Sequence, residues 1–118
     1  MLNLNHKKLD VWRKSIQLVK KIYAITEHFP ASEIYGLTNQ LRRAAVLIPS
    51  NIAEGASRNS STERKRFFEI SRSSLAEIDT QLEISKELNF YQPDDQSDVS
   101  QLMNDCFALL SKLIARTK

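Results

Sequence analysis

A proline stands at position 49 in the middle of a segment whose apolar spacing is that of a helix, within the run Ile48-Pro49-Ser50-Asn51-Ile52-Ala53-Glu54-Gly55. Pro49 has no N–H for the carbonyl of Ala45 and its ring crowds that turn, so an interior proline costs about 3 kcal/mol or more and kinks the helix. A chain that keeps it must compensate nearby. Ser50 and Asn51 carry short polar side chains able to hydrogen-bond backbone groups left unpaired, and Gly55 lets another backbone come close. Only two glycines and three prolines punctuate the 118 residues, and no run alternates with the period of a strand. The expected architecture is all-α.

Helix 1 is read from Lys8 to His28 and stops at Phe29-Pro30. Ser32 is a candidate cap for helix 2, which extends from Glu33 through the kink at Pro49 to about Arg58. Ser60-Ser61-Thr62-Glu63 holds the Ser-x-x-Glu pattern of a capping box and opens helix 3, which runs to about Leu88. Tyr91-Gln92-Pro93-Asp94 breaks it. Helix 4 begins near Asp95, with Val99, Leu102, Cys106, Leu109 and Leu113 at spacings of three and four. Short connections between long helices predict an antiparallel up-down-up-down four-helix bundle, one domain over residues 1–118. At 42% hydrophobic residues it can bury a core without disulfides or metal. The single cysteine, Cys106, falls in the apolar pattern of helix 4 and is read as a buried small hydrophobe in a reducing, cytoplasmic setting. No signal peptide and no membrane span are expected.

Helix 1 carries two apolar stripes well over 100° apart: Leu9, Trp12, Ile16, Val19 and Tyr23, and Val11, Leu18, Ile22, Ile25 and Phe29. One stripe suffices for a bundle. Either the helix is deeply buried between two neighbours, or the second stripe contacts another subunit; Trp12, Tyr23 and Leu37 are placed in the core. On helix 2, Gln40 and Asn51 share a face with Leu37, Leu41, Ala44, Ile48 and Gly55, so two amides flank or enter the core. Buried amides must be hydrogen-bonded, which makes them structural.

Catalytic ingredients are poor. His6 and His28 lie too far apart to ligate one ion, and no Cys-x-x-Cys, His-Glu-x-x-His, Walker-type loop or Gly-x-Ser-x-Gly occurs. Glu54 and Glu77 are candidates for a carboxylate pair holding metal, but neither sits in the Glu-x-x-His pattern that such bundles use. Glu54 has Arg58 four residues on as an ion-pair partner. No enzyme, cofactor or metal is expected.

The charge is asymmetric. Residues 1–73 hold 13 Lys/Arg against 6 Asp/Glu, while residues 74–118 hold 4 against 8. Arg64, Lys65 and Arg66 sit at the positive end of the helix 3 dipole, the unfavourable side for cations. Three explanations compete. The cations bind the phosphates of a nucleic acid, or they dock against the acidic half of a neighbouring subunit, or they are a solvated surface. The first places Arg42, Arg43, Arg58, Arg64, Lys65, Arg66 and Arg72 on a nucleic-acid interface. No base-reading motif appears, so recognition is expected through backbone and shape.

The Ile48–Gly55 run, with Phe29-Pro30, Glu33, Tyr35-Gly36-Leu37 and Gln40-Leu41-Arg42-Arg43-Ala44 before it and Ser74-Leu75, Glu77 and Gln81-Leu82 after it, resembles the bacterial four-helix bundle family whose founding members are encoded by intervening sequences in large-subunit ribosomal RNA genes. The likeness runs from about Leu9 to Leu88. Leu47 and Ser73 depart from it, standing where relatives usually have serine and glycine. The resemblance implies Gln40, Pro49, Ser50, Asn51, Glu54 and Gly55 as a structural motif and a homo-oligomeric ring, typically a pentamer. It extends to the accessory variability determinant of diversity-generating retroelements, a basic pentameric barrel, and so implies as possible partners RNA and a reverse transcriptase or another protein that handles nucleic acid.

Overall fold

Ser60 accepts a hydrogen bond from the Glu63 amide at 3.1 Å and opens the longest helix of the molecule, as the capping pattern requires. In the computed structural model, which describes residues 1–92 and 96–118, four helices run Asp10–Thr26 (α1), Leu37–Ala56 (α2), Ser61–Glu87 (α3) and Gln96–Arg116 (α4). Short 3-10 turns occupy Asn5–Lys8 and Ala31–Glu33. The 27 residues of α3 span about 40 Å at 1.5 Å per residue, close to the 43 Å long dimension of the molecule. α1 packs on α2 and α4, and α3 on α2 and α4, which closes the expected up-down bundle. The expected break at Pro93-Asp94 and the start of helix 4 near Asp95 lie outside the described residues. Ser60→Ala is expected to lower stability by about 1 kcal/mol, read as a lower urea midpoint with an unchanged slope.

The second apolar stripe of α1 is the core. Val11, Leu18, Ile22, Ile25 and Phe29 are buried with Leu41, Ile48, Ile52, Ile78 and Leu110, whereas Ile16 and Tyr23 on the first stripe are each 43% exposed. This reverses the expected assignment. Trp12 and Leu37 are half-buried against the core, but Tyr23 lies outside it, with the Arg42 guanidinium 4.5 Å from its ring centroid.

Pro49 stays inside one continuous helical run. Asn51 Nδ2 donates to the Leu47 carbonyl at 2.8 Å, and buried Ser71 on α3 donates to the Ile48 carbonyl at 2.9 Å. Gln40 is exposed, and Gln81 Nε2 approaches its Oε1 at 3.4 Å, so the two predicted amides flank the core rather than fill it. α2 and α3 pack most extensively, and both bury small residues: Ala44, Ala45 and Gly55 on α2, Ser71 and Ser74 on α3, with Gly55 against Phe68.

The α1–α2 connection and the start of the α3–α4 connection are tied down locally. α2 starts at Leu37, not Glu33, because Ala31–Glu33 coils into its own turn after Pro30. Glu33 Oε1, not Ser32, then accepts from the Leu37 amide at 3.0 Å. A Cβ on Gly36 would sit 2.6 Å from that oxygen, so glycine leaves room for the carboxylate to fold back. At the end of α3, Asn89 adopts φ 60°, its amide donates to Lys86 and the Phe90 amide to Ser85, the paired bonds of a Schellman motif. Phe90 and Tyr91 then pack beside Phe29.

Cys106 is fully buried on α4, and burial pushes its thiol up to about 11. At pH 8 that leaves about 0.1% thiolate, against about 10% for an unshifted group. Labelling by an aromatic disulfide reagent is therefore expected to wait for unfolding, and its rate to rise with urea in step with loss of helical circular dichroism. Rapid labelling of the folded protein would contradict this placement.

Candidate nucleic-acid interface

The seven basic residues singled out from the sequence fall into two groups. Ile48 lies alongside Ser71 and Gln40 alongside Gln81, and this register puts Arg42 and Arg43 roughly 16 Å up the bundle axis from Lys65 and Arg66. The fold does not gather all seven into one patch.

Four of them are committed to the fold. Arg42 Nε donates to Thr26 Oγ1 on α1 at 2.8 Å while its guanidinium stacks on Tyr23. Arg58 pairs with Glu54 at 2.6 Å, the i,i+4 contact expected from the sequence, and lies 4.9 Å from the Phe67 ring centroid. Arg64 donates to the carbonyls of Arg58 and Asn59 at 3.1 and 2.9 Å and to Ser61 Oγ at 3.1 Å, so it clamps the α2–α3 turn. Arg72 donates to Ser111 Oγ at 3.1 Å and joins α3 to α4 beside Phe107.

Arg43, Lys65 and Arg66 carry no carboxylate partner among the described residues. Arg66 is exposed with its guanidinium 5.9 Å from the Phe67 ring centroid. Lys65 and Arg66 occupy the first turns of α3, where the helix dipole adds its positive end to theirs. Glu63 and Glu69 share these turns, and α2 and α4 bring the negative ends of their dipoles to the same end, so an anion here is held by the cationic side chains and not by the backbone field.

Antiparallel packing adds cations that the sequence reading passed over. α4 runs down beside α3 and ends next to its start, so Lys112, Arg116 and Lys118 arrive at the same end of the bundle as Lys65 and Arg66. All three are exposed. The 3-10 turn brings Lys7 and Lys8 there, and Arg13 follows, paired with Asp10 at 2.9 Å. Assigning each charge to a bundle end, rather than to a half of the sequence, would have found Lys112, Arg116 and Lys118.

The candidate carboxylate pair does not form. Glu54 is engaged by Arg58, and the register places Glu77 roughly 16 Å from it along the axis. Among the described residues no three of His, Cys, Asp and Glu cluster to hold a metal, and no helix is long and apolar enough to cross a membrane.

Residues 7–112 match the family model described as 23S rRNA-intervening sequence protein. The chain belongs to that family. The matched span contains all seven predicted cations, the Ile48–Gly55 run and Lys112, while Arg116 and Lys118 lie beyond it. No curated protein matches this intervening-sequence family member.

Proposed function

We propose that this chain is a non-enzymatic, oligomeric basic scaffold that holds structured nucleic acid, above all RNA, or a protein that handles it, on the basic end of the bundle. The observation that carries this reading is the convergence of Lys65, Arg66, Lys112 and Arg116 at one end with no carboxylate pairing them among the described residues. Cations in this state exchange counterions for phosphates, and the gain is largest at low salt. The ring implied by the resemblance, typically pentameric, would repeat the patch around an axis. The likeness to the retroelement accessory protein supports a reverse transcriptase as one handler.

A second reading keeps the charge for assembly, because Glu77, Asp79, Glu83 and Glu87 give α3 an acidic upper half that a basic end can meet. Fluorescence anisotropy of a labelled structured RNA across a salt series, for the wild type and a Lys65→Ala/Arg66→Ala variant, separates the two. Arg64 is left in place because it holds the turn. The expected result is micromolar or tighter binding, with a log–log salt slope shallower by about 2 in the variant and an unchanged oligomer mass. Absence of binding at low salt, or a variant that changes mass and not affinity, assigns the charge to subunit docking.

A further inference from the structure

We infer that the seam between α1 and α2 docks head to tail onto the acidic outer face of the C-terminal half of α3 in a second copy of this chain. This rests on the oligomeric reading above and assigns the contact surfaces to it. The outer apolar stripe of α1, only partly used by the core, lines the seam: Ile16 and Tyr23 are 43% exposed, and Val46 on α2 is comparably bare. Val19 lies half-buried between them, Trp12 closes the lower end of the strip against the His6 ring, and Tyr35, 92% exposed, extends it past the end of α1. From Trp12 to Tyr23 the strip runs about 16 Å, more than a scatter of single apolar side chains.

Its chemistry is that of a protein contact. Aromatic side chains and arginine beside aliphatic ones are what buried interface centres hold, and the aliphatic floor of Ile16, Val19 and Val46 offers a phosphate nothing. The two hollows along the seam have no carboxylate in their lining, whereas Arg42 and Arg43 line the upper one. The complementary surface must therefore present apolar side chains within an acidic rim.

This chain carries such a surface. Ile84 on α3 and Leu88 at its C-terminal cap are exposed four residues apart. Glu77 and Glu87, seven residues before and three after Ile84, share that face, and Glu83 adds to the rim. Among the described residues none of these carboxylates has an ion-pair partner. Because the two surfaces differ, the contact is heterologous, and successive copies close into a ring when the rotation permits.

Sedimentation equilibrium at micromolar concentration on the wild type, Val46→Glu and Ile84→Lys tests the assignment, with circular dichroism to confirm that both variants fold. The wild type is expected to be an oligomer and each variant a monomer. Mixed in equal amounts, the variants are expected to form a heterodimer, because the intact seam of one meets the intact α3 face of the other. A Val46→Glu protein of wild-type mass overturns the seam and leaves the oligomeric reading standing; a monomeric wild type overturns both. An Ile84→Lys oligomer, or a mixture that stays monomeric, overturns the α3 face. Weakened RNA binding by Val46→Glu at unchanged mass makes the seam a nucleic-acid surface instead.

Discussion

Gly55→Val is expected to lower the stability of the bundle by about 3 kcal/mol, a large share of the 5–15 kcal/mol that holds an ordinary domain together. Gly55 is buried where the last turn of α2 crosses the first turns of α3. A Cβ there would lie 2.8 Å from Phe68 Cε1 and 3.1 Å from the Arg64 carbonyl oxygen. Neither neighbour can give way freely: the Phe68 ring is itself buried, and the carbonyl belongs to the α3 backbone beside the turn that Arg64 clamps. Overpacking of this kind costs about 1–3 kcal/mol for small additions, and valine adds two further methyl groups. Alanine is milder, because replacing glycine within a helix returns up to about 1 kcal/mol. At a few degrees per kcal/mol, the valine variant is expected to melt about 10–15 °C lower. Phe68→Leu in the same chain should recover part of the loss by vacating the contact, a coupling that a double-mutant cycle reads directly. A Gly55→Val melting point within a few degrees of the wild type would mean that α2 and α3 separate there at little cost.

Whatever depended on local chemistry could be read in the sequence. Ser60 and Glu63 mark the start of α3 because a cap needs only its own turn, and Gly55 announces a close approach because only a missing side chain permits one. Properties set by a neighbouring element could not. Both apolar stripes of α1 were visible, but which one faces inward depends on where α2 and α4 stand, and they stand over Leu18 and Ile22. Arg64 reads as a free surface cation until the turn before it curls within reach of its guanidinium. Glu33 reads as the first residue of a helix until Gly36 lets its carboxylate close over the real start. The cations of α4 were hidden by averaging, since residues 74–118 are acidic in sum while their last seven hold three cations and no carboxylate.

Those hidden cations carry the second large effect. Lys112→Glu/Arg116→Glu is expected to weaken binding to structured RNA by about 100-fold or more near 0.1 M salt and to flatten the log–log salt slope by about 2, since each phosphate contact contributes roughly 0.9 to that slope. The fold should tolerate the exchange. Both side chains are exposed, and reversing charge in the last turns of α4 costs a few tenths of a kcal/mol per residue through the helix dipole. Arg64→Ala supplies the contrast. It removes three hydrogen bonds from the α2–α3 turn and is expected to lower the melting temperature while leaving the slope, measured well below melting, as in the wild type. Charge count alone treats Arg64 and Arg116 as equals, so only a site built by the antiparallel fold separates their effects in this way. If Lys112→Glu/Arg116→Glu left the slope untouched while Lys65→Ala/Arg66→Ala flattened it, the phosphate track would follow α3 alone and the end of α4 would stand outside it.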